Sequence, residues 1–176
     1  GGLVEAGIRD SAKALKTRDP ELAMAVRKQD KDIDRLDQEI SEACARVIAL
    51  RQPIASDLRL VLSVMKIATN LERIGDYAKN LAKRTKVLVE LKTVDGSEVF
   101  ISKMSAEVLS MLSDALDALI RQDVCLAEQV RQRDLDVDQM YNALFRELLT
   151  FMMEDPRLIT SCMHLHFIAK NIERMG

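Results

Sequence analysis

Tryptophan is absent from these 176 residues, aromatic residues make up only 3% of them, and prolines number three and glycines six. The composition leans instead on Leu, Ala, Met, Glu, Lys and Arg, residues that lose little rotamer freedom in a helix, so an all-α protein is expected. No large excess of either charge sign exists: 26 Lys and Arg stand against 28 Asp and Glu, interspersed, for a net charge of −2. A basic footprint for nucleic acid is therefore missing, as is a polybasic run for anionic lipid. Nor does any uncharged stretch approach the roughly 18 apolar residues of a membrane span, and the N-terminus carries no signal-peptide pattern. Cysteine is limited to Cys44, Cys125 and Cys162, with no C-x-x-C pair. Three scattered thiols fit a reducing compartment and mostly apolar surroundings, so the chain is expected to be cytoplasmic.

What is present is enough apolar residue, 48% of the chain, for one large core or two small ones. Apolar positions recur at helical spacing almost throughout. Breaks fall at Arg18-Asp19-Pro20, where Asp19 can cap a helix that starts with Pro20, and at Gln52-Pro53, after which Ser56 or Asp57 can cap a long helix to about Leu91. Asp95-Gly96-Ser97 makes a turn, Asp123 caps another helix, and Asp155-Pro156 ends that one before a last helical stretch. Six helices and no strand are expected.

An internal repeat organises them. The segment from Ala14 to Leu36 matches that from Ala118 to Met140 without a gap, so that Asp19, Leu22, Ala23, Val26, Arg27, Asp30, Asp32 and Asp34 recur as Asp123, Leu126, Ala127, Val130, Arg131, Asp134, Asp136 and Asp138. Ile67-Ala68-Thr69-Asn70-Leu71-Glu72-Arg73-Ile74-Gly75 recurs as Ile168-Ala169-Lys170-Asn171-Ile172-Glu173-Arg174-Met175-Gly176. The register slips by three residues between the two matches, which places a shortening near the turn between the second and third helices of the second copy. The expected architecture is two tandem three-helix bundles, residues 1–92 and residues 97–176, with sequential helices antiparallel. Because the third helix of the first copy continues well past Gly75 and the second copy stops at Gly176, the second unit is expected to be incomplete at its C-terminus, and residues to be missing at both ends.

Glu72 and Asp76, four apart, lie on one helix face within reach of a single ion, and helical projection continues their face from Leu58, Val61, Met65 and Ala68. Two like charges at this spacing repel unless a cation or an arginine offsets them. Gly75 between them costs a helix roughly 1 kcal/mol relative to Ala, for which close approach of another helix is the usual compensation. Glu173 is the second-copy counterpart of Glu72. From the spacing alone a solvated acidic edge paired with Arg73, Lys79 or Lys83 is the commoner explanation, since acids at i, i+4 are frequent; their recurrence favours a site. For Arg73 and Arg174, ion pairing within or between helices is the commoner role, beside orienting the carboxylates or binding an anion.

The run Asn70-Leu71-Glu72-Arg73-Ile74-Gly75-Asp76-Tyr77-Ala78-Lys79-Asn80 resembles the signature of the PhoU family, which carries it once per three-helix repeat. The doubled motif, with Asn171, Glu173 and Arg174 in the second copy, fits that pattern, as do the Leu3-Val4-Glu5 opening and the Arg51 to Arg59 turn. The resemblance implies metal bound at Glu72, Asp76 and Glu173, with Asn70, Arg73, Asn171 and Arg174 as supporting motif residues. It also implies a negative regulator of the phosphate-starvation response that contacts the ATPase subunit of the phosphate transporter and a sensor histidine kinase, and a homodimer. Oxygen ligands alone favour a hard cation such as iron, manganese, magnesium or calcium.

Enzyme constellations are missing. Neither His164 nor His166 has Glu three positions earlier, as a ferritin-like di-iron bundle requires, and no G-x-S-x-G or phosphate-cradling loop occurs. Cys162 and His166 are four apart and could share an ion, although core substitution is the commoner explanation. Two alternatives remain: a histidine phosphotransfer domain using His164, and a purely structural helical scaffold.

Overall fold

A computed structural model describes all 176 residues as α1 Gly2–Thr17, α2 Pro20–Arg51, α3 Ala55–Leu88, α4 Ser97–Arg121, α5 Val124–Glu154, a 3₁₀ turn Pro156–Leu158, and α6 Ile159–Glu173, with no strand. The repeat returns as geometry. The α1–α2 and α4–α5 corners each pass through one left-handed residue, Arg18 at φ 52 and Gln122 at φ 55. In each, the following N–H closes the preceding helix at the same distance: Asp19 N to Ala14 O, and Asp123 N to Ala118 O, both 2.9 Å. The same aspartates then open the next helix, with the Asp19 carboxylate accepting from the N–H groups of Glu21 and Leu22, and that of Asp123 from Leu126. Replacing Asp123 by Ala leaves that first turn without its side-chain acceptor. Urea unfolding should record a loss of about 1 kcal/mol, and Asp19→Ala the same; no loss in either would mean that water caps these turns as well as carboxylate does.

The third helix of the first half departs from expectation at both ends. Neither Ser56 nor Asp57 caps it; its N-cap is Ile54, with no side-chain hydrogen bond. The chain is extended at Ile54, φ −119 and ψ 157, and the helix starts at Ala55, itself left-handed at φ 47, so neither Ser56 nor Asp57 stands at the capping position. It ends at Leu88 and not at Leu91, because Arg18 takes over the carbonyls: its Nη2 donates to Leu88 O, Val89 O and Leu91 O at 2.6, 3.0 and 2.9 Å. In the second half Pro156–Leu158, opened by the Asp155 carboxylate on the Arg157 N–H, stands where Ala55–Asp57 begins α3. The three-residue slip falls just before it: α5 is one residue shorter than α2, and Asp155 alone stands where Gln52–Ile54 link α2 to α3.

Helices α1, α3, α4 and α6 pack on one another, with α2 laid against α1 and α3, and α5 against α4 and α6. A single cluster of 23 buried residues runs through both halves, joining Ile8 and Leu81 of the first to Met104, Leu144, Leu148 and Ile168 of the second. Cys44 and Cys162 are buried and Cys125 is exposed. No helix is long and apolar enough to cross a membrane.

Candidate functional site

The stripe of Leu58, Val61, Met65 and Ala68 is buried or half-buried on α3, and Glu72 and Asp76, both half-buried, continue it. Opposite them α2 presents further carboxylates that sequence reasoning did not assign to the site: Asp30, only 4% exposed, with Asp34 and Asp37 one and two turns on. Burial raises the Glu72 carboxyl above the ordinary carboxylate range, and the charges of Asp76, Asp34, Asp37 and Asp30 push it further. Asp30 is raised too, because its burial outweighs the adjacent ammonium of Lys79. That ammonium bonds Asp30 Oδ2 and lies 2.7 Å from Asp76 Oδ1, and the two bonds raise its own pKa. Glycine makes the approach of the helices possible: a Cβ on Gly75 would come within 3.0 Å of Ile33 Cδ1 and 3.7 Å of Asp30 Oδ1.

The second half repeats the device. A Cβ on Gly176 would fall 3.0 Å from Asp134 Oδ1, the counterpart of Asp30. Burial raises the Asp134 carboxyl, with Asp138 and Glu173 adding repulsion. Glu173 Oε2 has Lys170 Nζ at 2.7 Å, close enough for ion pairing, yet the direction is wrong for a hydrogen bond and this buried oxygen has no directed donor. Each half thus faces carboxylates of its second helix against those of its third. The signal was in the repeat itself, where the i, i+4 pair Asp30 and Asp34 recurs as Asp134 and Asp138.

This donor set fits a hard cation in chemistry. It is all carboxylate oxygen, its members repel one another, and Glu173 Oε2 is short of a donor. No three His, Cys, Asp or Glu side chains converge to coordinating positions; in the first half the Lys79 ammonium stands between Asp30 and Asp76, where a cation would offset the same charges. An open pocket of about 420 Å³, lined by Asp30, Asp34 and Lys79 together with Arg27, Lys28 and Lys31, gives solvent access to that position. The acidic edge is paired through Asp76 and Lys79, not through Arg73 or Lys83.

Arg73 and Arg174 do not ion-pair as expected. Neither has a carboxylate within salt-bridge distance, since both turn to the junction of α3 and α6 while the acids face α2 and α5. Asn70 and Asn171 make no side-chain hydrogen bond, and Asn70 lines that junction. Cys162 is fully buried, and burial raises its thiol pKa. His166 sits among Tyr141, Phe145 and Phe167 with ring centroids 5.8, 5.0 and 5.6 Å away, and burial, then Lys170, lower its pKa. These two residues belong to packing. His164 is half-buried with Arg84 Nη1 3.5 Å from its Nδ1; burial first and that guanidinium second disfavour its charged form.

The PhoU domain family matches residues 1–85 and 101–176. The phosphate-specific transport system accessory protein PhoU homolog of Caulobacter vibrioides is 46% identical over 176 residues, covering all of this chain and 76% of that relative. The crystal structure of PhoU from Pseudomonas aeruginosa superposes with a TM-score of 0.96 at 41% identity, over 100% of this chain and 84% of the other. The crystal structure of the phosphate transport system regulatory protein PhoU from Streptococcus pneumoniae gives 0.89 at 32% identity, over 99% and 82%.

Proposed function

This chain belongs to the PhoU family of phosphate-specific transport accessory proteins, which are regulators and not enzymes, and on that footing we propose that it is a negative regulator of the phosphate-starvation response. It acts by contact, in the cytoplasm, between the ATPase subunit of the phosphate transporter and a sensor histidine kinase, and it pairs with a second copy of itself. A hard cation bound between facing carboxylates supports that role: Asp30, Asp34, Glu72 and Asp76 in the first half, and Asp134, Asp138 and Glu173 in the second. The observation that carries the metal reading is the recurrence of one arrangement in both halves: an aspartate, buried in the first half and half-buried in the second, held against a motif glycine with a motif glutamate beside it. Bound there, the ion supplies positive charge to an otherwise self-repelling cluster and ties the second helix of each half to the third.

Deleting the gene should switch on phosphate-starvation genes while phosphate is plentiful, and the parent chain should restore repression. His164→Ala should restore it equally, because its imidazole lies against Arg84 and no phosphoryl group passes through it. A deletion strain with unchanged phosphate-gene expression would sink the regulator reading. A His164→Ala chain that fails to complement, with labelled phosphate on the parent protein, would replace contact with phosphotransfer.

A further inference from the structure

Asp30, Asp34, Glu72 and Asp76 share one side chain of opposite charge. The Lys79 ammonium bonds Asp30 Oδ2 on α2 and lies 2.7 Å from Asp76 Oδ1 on its own helix, one turn back. Neither Glu72 nor Asp34 takes part in that pairing. Asp30 depends on it most, because its side chain is buried and a buried carboxylate that loses its partner is strongly destabilising. One ammonium does not neutralise the cluster, however. With Lys79 in place, burial still holds Asp30 above the ordinary carboxylate range, and the surrounding acids still add to the effect of burial on Glu72.

Lys79 is also free to leave. Its side chain is 36% exposed and lines the open pocket of about 420 Å³ beside Arg27, Lys28 and Lys31. A flexible four-carbon stem can carry the ammonium from Asp30 to that pocket while both helices stay where they are. An ammonium brings a single charge, whereas a hard polyvalent cation brings two or more and takes several carboxylate oxygens at once.

Resting on the metal reading above, we propose that Lys79 is a tethered counter-ion that holds the cation's place in the metal-free protein and is displaced when a hard cation binds. Lys79 is a positioning residue for Asp30 and Asp76 and not a ligand, since an ammonium has no lone pair to give. The exchange turns an ion pair spanning α2 and α3 into a free ammonium at the rim of a pocket already lined by three basic side chains. The charge shown at that surface thereby reports whether the site is occupied.

Manganese binding isotherms of the chelator-treated 176-residue chain test this, in a background of Asp134→Asn with Glu173→Gln that disables the second half. Lys79→Met should tighten manganese binding about tenfold or more, since no ammonium then has to leave. In chelator the same variant should lower the urea midpoint, because Asp30 loses its partner. Opposite signs from one substitution mark a displaced counter-ion; a lysine that only supports the fold would weaken both on removal. Lys79→Arg should bind manganese more weakly than the parent, because a guanidinium fork holds carboxylates more firmly. Lys31→Met removes a charge from the same pocket but no bond to Asp30 or Asp76, and should shift the affinity far less. Circular dichroism on each variant establishes that the helices are intact. No tightening by Lys79→Met, equal tightening by Lys31→Met, or binding by Lys79→Arg as tight as the parent's overturns the proposal and leaves the metal reading standing. Manganese bound by neither the parent nor Lys79→Met removes both, whereas manganese bound by Lys79→Met alone supports displacement.

Discussion

Leu148→Ala should lower the free energy of unfolding by about 2–5 kcal/mol, read from the urea midpoint at unchanged slope. Leu148 has no exposed surface and lies on α5 inside the cluster that runs from Val4 and Ile8 to Ile168 and Ile172. α5 packs against α4 and α6, and the surrounding side chains sit on helices, so the cavity has little freedom to collapse. Leu149, one residue on, is 41% exposed, and its replacement by Ala should stay within about 0.5 kcal/mol. A Leu148→Ala loss near that of Leu149→Ala would mean that the shared core is looser than its burial states. Because the core spans both halves, the variant should still unfold in one transition; a second transition would divide the molecule into independently stable units.

A hard divalent cation should have the next largest effect. Manganese added to chelator-treated protein at a hundred times its dissociation constant should stabilise the fold by about 2.7 kcal/mol for each occupied site. Glu72→Ala with Asp76→Ala should remove the first-half share and lower metal content while the helical spectrum stays intact, since the chain then loses two mutually repelling charges. Elemental analysis that finds equal metal in variant and parent would eliminate this site. The pH dependence has a definite sign. Asp30, Glu72 and Asp134 have folded-state pKa values raised above the ordinary carboxylate range. In metal-free protein their contribution to stability is therefore fully present below that range, and is lost as pH rises through the raised values. The ion binds the deprotonated forms, so its stabilisation should grow over the same interval in which the metal-free protein weakens.

Helices, corners and the repeat were legible in the sequence because they rest on local chemistry. Asp19 and Asp123 cap where their position ahead of an apolar run says they should. The end of α3 was not legible, because it depends on Arg18 reaching across to three carbonyls some seventy residues away. Glu72 and Glu173 stood out through their repeated motif, whereas Asp30 and Asp134 sit among many acids on α2 and α5 and differ from Asp32 and Asp136 only in the direction they face. Which acid turns inward is fixed by helix packing, and no spacing rule on one helix states it. Arg73 and Arg174 misled for the same reason: their neighbours in sequence are carboxylates, but their neighbours in space are each other's helix and Tyr77.

The two glycine contacts carry a mechanical consequence. Gly75 sets the backbone of α3 directly on the side chains of Ile33 and Asp30, and Gly176, just beyond α6, meets the Asp134 carboxylate, so at these points one layer of side chain separates the backbones. The facing carboxylates of the first half therefore stand on two backbones held a single side chain apart. A partner that pries α2 from α3 by the width of one methyl group would open a gap at Gly75 that glycine has no side chain to fill. A cation bound at the proposed site would resist that separation, and the separation would weaken its binding in return.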